Sequence, residues 1–374
     1  MRLLLIADTD SIHTRRWVSS LSQRGCEILL FNLLRCDCSF YDGMPHVQVY
    51  SCDFVLDEAA AGSQRIAAKL IYLKAVKHLR RQIRRFRPDL VHAHNASSCG
   101  LVGALSCFHP FLLSVWGSDV YTFPRQGKLY NHLLRFALRR ADGVLSTSHC
   151  MARETNKYTA KPIQVTPFGV DMNRFAPVAA PSKPATFVVG NVKALKYCYG
   201  IDTLIRAFAL VCRRNSGKDM RLLIAGTGPD RADFEQLCDQ LAVRDRVEFL
   251  GFIPNEQLPG VYAQFDVAVS LSREESFGVV AVEDMSCQCP VVTSDAEGFQ
   301  EVVADGVTGF VVPKDNAQAA ADAIQKFIDD PQLRQTMGEA GRRRVAERYD
   351  WEQNVDTMME IYRDVKDIAS GNIR

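Results

Sequence analysis

The sequence predicts an α/β protein of two doubly wound domains, each built on a parallel β-sheet. Three observations lead to this fold class. The chain has 374 residues, which is about twice the length of a usual domain. Short β-rich apolar runs alternate with amphipathic stretches of helix length throughout, as expected for parallel sheets covered on both faces. The stretch "RFAPVAAPSKPAT", residues 174–186, is rich in proline and lacks periodicity, which is typical of an interdomain linker.

Twelve apolar runs are predicted as strands, six on each side of that stretch. In chain order they are Leu3–Ala7, Glu27–Asn32, Leu90–Ala93, Phe111–Val115, Gly143–Ser146, Ile163–Thr166, Thr186–Gly190, Arg221–Ala225, Val247–Leu250, Val267–Leu271, Pro290–Thr293 and Gly309–Val312. The domains are expected at residues 1–175 and 184–351, with a C-terminal helix at about 352–374 packing back on the first domain. Ligands of such sheets bind beyond the carboxyl ends of the strands, so two facing domains would place the site in the cleft between them.

The composition is that of an ordinary globular protein, with 47% apolar and 24% charged residues. The first apolar run is too short for a secretory signal or a membrane span. The twelve cysteines include the Cys-x-Cys pairs Cys36/Cys38 and Cys287/Cys289 but no zinc or redox spacing, so we expect reduced cysteines, no metal and a cytoplasmic location. Residues 1–175 carry 23 Lys and Arg against 13 Asp and Glu, and residues 176–374 carry 22 against 30. The first domain is therefore suited to an anionic partner.

The stretch "EESFGVVAVED", residues 274–284, places Glu275 and Glu283 eight residues apart. Ser276-Phe277-Gly278 would lie at the start of a helix through Val279–Met285, where free backbone N–H groups and the helix dipole favour a phosphate. Two carboxylates at this spacing are too far apart to share a proton. We expect them to contact two different parts of one long ligand.

With the stretches "PFGVDMNRF" and "SDAEGFQEVVADGVTGFVV", "ESFGVVAVE" resembles glycosyltransferase family 4, retaining enzymes of the GT-B fold. The resemblance covers nearly the whole chain, with the motifs in the family's order. It implies two Rossmann-like domains facing across a cleft. It also implies that Glu275 contacts the hydroxyls of the donor sugar and that Glu283 binds the ribose. Ser276 and the backbone of Phe277 and Gly278 would then approach the sugar and the diphosphate.

The resemblance also implies cations beside the diphosphate, in the stretch "VVGNVKALKYCYGIDTLIRAF" at residues 188–208. Lys193 fits the first position, as a group that stabilises the leaving diphosphate. The second lysine of the family is replaced by Cys198 or Tyr199, so either Lys196 supplies this contact or the contact is missing. Retaining enzymes of this family are thought to work on one face of the sugar, and no Asp-x-Asp-like motif lies near, so we expect no metal.

Two further stretches are placed near the nucleotide by the resemblance. "LLIAGTGPDRADFEQL", residues 222–237, carries Gly226 and Gly228, which either approach the nucleotide or only permit a tight turn. "LGFIPNEQL", residues 250–258, is similar to the stretch that borders the base, with Phe252 and Ile253 at its edge.

The acceptor side is expected in the first domain. Ser11, His13 and Arg16 lie at or near a helix N-terminus, and His94 ends a strand. In "LLSVWGSDVYTF" the family's usual histidine is replaced by Trp116, which leaves Asp119 to orient the attacking hydroxyl.

A basic amphipathic helix is predicted at residues 64–87, with an apolar stripe at spacings of three and four. Its cations either form a solvated face or favour an anionic membrane surface or a lipid diphosphate acceptor. No nucleic-acid-binding motif is present. We therefore predict a retaining, metal-independent glycosyltransferase that uses a nucleoside diphosphate sugar, expected to be UDP-linked, and a lipid-linked or polysaccharide glycan acceptor. It would work in the cytoplasm, peripheral on the membrane. The alternatives are a sugar-nucleotide epimerase of the same fold and a non-catalytic glycan-binding protein.

Overall fold

The computed structural model describes residues 1–55, 65–178 and 186–369. The chain divides into two compact units, Met1–Pro167 together with Gln353–Arg374, and Phe168–Glu352. The predicted linker at 174–186 lies partly outside the described residues. None of the described helices is both long enough and apolar enough to cross a membrane.

The first unit contains a sheet of seven parallel strands in the order β3-β2-β1-β4-β5-β6-β7. The strands are β1 Arg2–Ile6, β2 Glu27–Leu34, β3 Val47–Phe54, β4 Leu90–His94, β5 Phe111–Val115, β6 Gly143–Ser146 and β7 Ile163–Val165. Leu3 pairs with Ile28 of β2 and with Leu90 of β4, so the strand order reverses at β1. Loops that leave β1 and β4 therefore open apart at the carboxyl edge, which is where such sheets bind ligands.

The second unit contains a sheet of six parallel strands in the order β10-β9-β8-β11-β12-β13. The strands are β8 Phe187–Val192, β9 Met220–Ala225, β10 Val247–Gly251, β11 Val267–Ser270, β12 Val291–Ser294 and β13 Gly309–Val312. The order reverses at β8, whose neighbours are β9 and β11. The loops after these three strands carry most of the donor-side residues predicted from the sequence; Phe252 and Ile253 follow β10 instead, and Glu283 lies on a helix.

Helices cover the two sheets. In chain order they are α1 Ile12–Gln23, α2 Arg65–Phe86, α3 Cys99–Ser106, α4 Ser118–Tyr121, α5 Lys128–Arg140, α6 His149–Thr155, α7 Ile201–Arg214, α8 Arg231–Gln240, α9 Leu258–Tyr262, α10 Val279–Ser286, α11 Glu297–Val302, α12 Ala317–Asp329, α13 Pro331–Arg348 and α14 Trp351–Ala369. Every residue of β4, β5, β11 and β12 is buried, because helices pack on both faces of each sheet. Each unit therefore has an apolar core of its own.

The predicted fold class is confirmed: two α/β domains, each with a parallel sheet. Each of the twelve predicted strands has a counterpart in the described residues. The sequence missed β3, Val47–Phe54, which is the edge strand of the first sheet and is only partly buried. An edge strand lacks the continuous apolar run on which the prediction relied.

Candidate functional site

Three loops of the second unit converge at the carboxyl edge of its sheet. Lys193 follows β8, Gly226 follows β9, and Glu275 lies in the loop after β11. These strands are neighbours in the sheet, so their loops pack side by side. The donor-side residues predicted from distant parts of the sequence are therefore brought together by the topology.

The centre of this edge is an ion pair. Nζ of Lys193 donates to Oε2 of Glu275 at 2.7 Å, and the two side chains are only 15% and 12% exposed. Nζ also lies 4.8 Å from the centre of the Tyr199 ring. Burial alone would lower the pKa of Lys193, but the negative charge and hydrogen bond of Glu275 outweigh it and raise the pKa. Lys193 is therefore held as a cation in a sheltered position.

The glycines of these loops are required by close backbone packing. A Cβ on Gly226 would lie 2.0 Å from the carbonyl oxygen of Lys193, and a Cβ on Gly228 would lie 2.2 Å from that of Leu195. Gly200 has a φ of +66°, and a Cβ there would lie 2.0 Å from the carbonyl oxygen of Leu271. Of the two readings that the sequence left open, this packing supports the structural one, because the glycines let the loop that carries Lys193 lie against its neighbours.

Helix α10 starts directly after the predicted Ser276-Phe277-Gly278 turn, at Val279. Gly278 has a φ of +103° in the left-handed region, which favours glycine. The ring of Phe277 is 2% exposed and packs 5.6 Å from the ring of Tyr349, so only its backbone faces the loop. Gly298 donates its N–H to the carbonyl of Glu275 at 3.0 Å, and a Cβ on Gly298 would lie 2.5 Å from the nitrogen of Phe277. The first turn of α11 thus fixes the turn before α10.

Glu283 lies on α10, whereas Glu275 lies in the loop before it, so the helix sets the position of only one of the two acids. Oε2 of Glu283 accepts from the hydroxyl of Tyr262 at 2.7 Å, and Glu283 is 8% exposed. The next residue, Asp284, is 2% exposed, and burial together with the charge of Glu283 raises its pKa well above the usual range. The charges of both Glu275 and Glu283 act on Lys193. The carboxylates and the cation therefore form one electrostatic group.

Arg273 is a residue that sequence reasoning missed. Its guanidinium binds both carboxylate oxygens of Asp202 at 3.0 and 2.8 Å, and its Nε lies 2.7 Å from the carboxylate of Asp315. Its backbone N–H donates to the carbonyl of Cys198 at 2.9 Å. These contacts tie the loop that carries Glu275 to the start of α7 and to the loop that carries Lys193. An arginine two residues before Glu275 was the available signal.

The remaining donor-side candidates are more exposed. Lys196 is exposed in the same loop as Lys193. Phe252, in the loop after β10, is 75% exposed, and Ile253 is half-buried. A large aromatic side chain held this far into solvent is available to pack on a planar group.

In the first unit, the carboxylate of Asp119 joins two loops. Its carboxylate has no exposed surface and accepts from the backbone N–H groups of Ala96 at 2.7 Å, Gly117 at 2.8 Å and Trp116 at 3.1 Å. Burial raises its pKa, and these hydrogen bonds oppose the rise. Asp119 thus positions the loops after β4 and β5, and its part in orienting the attacking hydroxyl stays a prediction.

The acceptor-side histidines meet at Trp116. The ring of Trp116 lies 6.0 Å from that of His13 and 4.7 Å from that of His94, measured between ring centres. Burial, with a contribution from the charge of Arg16, lowers the pKa of His13 to about 4. Burial, with a contribution from His13, lowers the pKa of His94 to about 3. Both rings are therefore neutral at physiological pH.

Ser11 and Arg16 lie at the start of α1, on either side of His13 in the sequence. Ser11 is the half-buried N-cap residue of α1, and its side chain makes no capping hydrogen bond. Nδ1 of His94 is buried and has no hydrogen-bond partner within the described residues. His92 lies two residues earlier on β4. Its Nδ1 is 2.8 Å from the hydroxyl of Tyr362 and its Nε2 is 2.8 Å from the hydroxyl of Ser114. Of the two histidines on β4, His94 is thus the one whose Nδ1 lacks a hydrogen-bond partner within the described residues.

Within the parts of the chain that the structure describes, no group of three or more His, Cys, Asp or Glu side chains could hold a metal ion. The expected metal independence remains a prediction.

Comparison with known proteins gave two family matches and several relatives. The family model described as "Glycosyl transferase 4-like" matches residues 2–148, and the one described as "Glycosyl transferases group 1" matches residues 174–344. Alpha-D-kanosaminyltransferase of Streptomyces kanamyceticus is 36% identical over 183 residues, which is 49% of this chain and 46% of that protein. N-acetyl-alpha-D-glucosaminyl L-malate synthase of Bacillus anthracis is 28% identical over 301 residues, 76% of this chain and 77% of that protein. The matched part spans about half the length of the first relative.

Among solved structures, Anabaena Alr3699/HepE in complex with UDP and glucose superimposes with a TM-score of 0.78. It is 22% identical and covers 97% of this chain and 100% of that one. At this identity the likeness concerns the fold.

Proposed function

Because this chain belongs to the glycosyl transferases group 1 and has the GT-B fold, we propose that it is a retaining glycosyltransferase. It would move a sugar from a nucleoside diphosphate donor to a hydroxyl of a lipid-linked or polysaccharide glycan. The observation that carries the proposal is the largely buried ion pair of Lys193 and Glu275 at the carboxyl edge of the second sheet. UDP is the proposed nucleotide, in keeping with the UDP bound by the Anabaena structure of the same fold.

In the proposed step, the bond between the anomeric carbon and the diphosphate oxygen breaks. The acceptor oxygen bonds to the same face of that carbon, and the hydroxyl proton passes to the departing diphosphate. The protein's main contribution is then electrostatic, because negative charge develops on the leaving group.

Lys193 would supply the positive charge for the leaving diphosphate, and the free N–H groups at the start of α10 would add donors. The ion pair with Glu275 keeps this lysine charged and in place before the donor arrives. When the diphosphate binds, it would share the lysine, and Glu275 would contact the sugar hydroxyls. Glu283, held by Tyr262, would bind the ribose, and Phe252 would pack on the base.

Metal independence belongs to this proposal, since a lysine and helix N–H groups would take the part that a divalent cation plays in other sugar-nucleotide enzymes. The Lys196 side chain is exposed and could reach a second phosphate oxygen, or this contact is missing.

The acceptor would meet the neutral rings of His13 and His94 and the charge of Arg16 in the first unit. Helix α2 would face an anionic membrane surface. Residues 72–87 carry seven Lys and Arg and no acidic residue. Arg80 is less available to such a surface than the other cations, because its guanidinium already donates to the carbonyls of Leu105 at 2.7 Å and Ser106 at 3.2 Å.

The experiment is a melting-temperature panel with UDP-, GDP- and ADP-sugars, followed by turnover with the stabilising donor. One nucleotide class should stabilise the protein, since a ligand at 100 times its dissociation constant adds roughly 2.7 kcal/mol. Sugar should then be transferred or slowly hydrolysed. Conversion of the donor into its C2 epimer would indicate the epimerase instead, and donor binding without any turnover would indicate a binding protein.

A further inference from the structure

The first unit has a groove between two long helices that the donor and acceptor residues do not use. The short helix α3 has eight residues and packs against both α2, with 22 residues, and α5, with 13 residues. Within the part of the chain that the structure describes, a cavity is left beside this short helix. The cavity there has a volume of about 570 Å³, within the range of roughly 300–1,000 Å³ that is typical of small-molecule sites.

The groove is lined almost entirely by apolar and aromatic side chains. Leu101 and Leu105 of α3 line it together with Phe123 and Phe136. At its rim, Leu73 of α2 is 60% exposed and Leu129 of α5 is 49% exposed. Large apolar side chains exposed together around a cavity mark a binding surface more often than scattered single ones do.

The helices around the groove carry only positive charge. Residues 72–87 contain seven Lys and Arg, helix α5 contains four, and neither segment contains an acidic residue. Helix α3 has no charged residue at all. An apolar trough between two basic helices complements a molecule with a hydrocarbon chain and a negative head group.

A second cavity continues the groove at its basic end. Leu105 and Phe136 line both cavities, and the second, of about 670 Å³, is also lined by three cations, Arg139, Arg140 and Lys161. One carboxylate, that of Asp142, lines it as well and lies 2.8 Å from Nδ1 of His109. Nζ of Lys161 donates to backbone carbonyls at the end of α5, including that of Arg139 at 2.8 Å, whereas Arg139 is exposed. The apolar groove thus adjoins a pocket in which three cations outnumber one carboxylate.

We propose that this groove binds one hydrocarbon chain of an anionic lipid, with the head group in the adjoining basic pocket. A second copy of this chain fits less well, because two surfaces with eleven cations and no acid would repel each other. A peptide would bring backbone N–H and C=O groups into an apolar trough without partners. The inference deepens the acceptor side of the proposed function and rests on it only for the identity of the lipid as acceptor or anchor.

The test is calorimetry of the full chain with dodecyl phosphate below its micelle concentration. Dodecyl maltoside is the probe that has the same hydrocarbon chain but an uncharged head group. Inorganic phosphate is the probe that has the charged group without a hydrocarbon chain. Dodecyl phosphate should bind to one site, dodecyl maltoside more weakly, and inorganic phosphate not measurably. Leu73→Glu and Leu129→Glu should each weaken dodecyl phosphate binding by about tenfold or more, because they place charge at the rim of the apolar trough.

Two matched variants complete the test. Val307→Glu changes an apolar side chain of similar exposure, 59%, in the other unit and should leave binding unchanged. Arg139→Gln should weaken dodecyl phosphate binding but leave dodecyl maltoside binding unchanged. Equal binding by wild type and both rim variants would overturn the inference, as would dimers in sedimentation that the rim variants abolish. The shift in melting temperature on adding a sugar nucleotide, measured on the same samples, separates the two proposals. If the wild-type protein bound dodecyl phosphate but no sugar nucleotide raised its melting temperature, only the proposed function would be contradicted.

Discussion

Lys193 is the single residue on which the proposed chemistry depends most. It lies between the carboxylate of Glu275 and the ring of Tyr199, and burial without the acid would lower its pKa. This arrangement keeps a cation in a sheltered place, where its field is screened less than in water.

Lys193→Ala should lower turnover by roughly 10²–10³, the order expected when one preorganised group that stabilises developing charge is removed. Steady-state rates with saturating donor measure this, and a melting curve checks that the fold survives loss of the ion pair. Lys196→Ala is the matched change in the same loop: a comparable loss would mean that Lys196 supplies the second phosphate contact. Unchanged turnover in Lys193→Ala would contradict the assignment.

Substitutions of Glu275 and Glu283 should affect different steps, transfer and nucleotide binding respectively. Glu275→Gln should mainly slow transfer and keep nucleotide affinity, since this acid serves the sugar. Glu283→Ala should weaken nucleotide binding, and it also leaves the buried Tyr262 hydroxyl without its acceptor, at a stability cost of about 1–3 kcal/mol.

Glu283→Gln separates these two effects, because the amide oxygen can still accept from Tyr262. Calorimetry with UDP alone and turnover at saturating donor measure the two roles. If both glutamate variants lost UDP affinity to the same degree, the division between sugar and ribose would be refuted.

At the level of elements, the site depends on three loops packed backbone to backbone. Gly228→Ala should reduce turnover by about as much as Lys193→Ala, although the added methyl group would contact the backbone of Leu195 and not the donor. Its Cβ would lie 2.2 Å from the carbonyl of Leu195, so the loop that carries Lys193 must move. A displacement of this kind is enough to cost roughly 10²-fold in rate. Gly217→Ala, with no atom within 4 Å, is the control.

Kinetics and melting curves of the two glycine variants decide the matter. Full activity in Gly228→Ala would mean that the loop packing does not position Lys193. Equal losses in Gly228→Ala and Gly217→Ala would point to a general effect on the unit.

The elements that the sequence predicted best are those with local signals. The strand before each loop is a buried apolar run, and the turn before α10 is marked by a small polar residue and a glycine, so both could be found without a partner. The pairs Arg273 with Asp202 and Tyr262 with Glu283 join residues far apart in the chain, and only the strand order brings them together. The partners of Asp119 could not be predicted for the same reason: the backbone N–H groups that donate to its carboxylate belong to two loops, which only the tertiary structure brings together.

For the whole molecule, the sequence predicted two parallel-sheet domains with opposite charge surpluses, and the family and fold are confirmed. The site across a cleft between the domains stays a prediction, because it depends on how the two units are arranged. Each unit nevertheless has its own task in the proposal: the second holds the donor at the edge of its sheet, and the first offers neutral histidines and a basic surface to the acceptor.

The central claim is a retaining transfer that needs no metal. The most direct measurement is proton NMR of the sugar during turnover of the stabilising donor in buffer with EDTA, read at early times before the free sugar equilibrates. The account predicts a product whose anomeric configuration equals that of the donor, formed at an undiminished rate. A product of inverted configuration, or turnover that stops in EDTA and returns with Mg²⁺ or Mn²⁺, would contradict it.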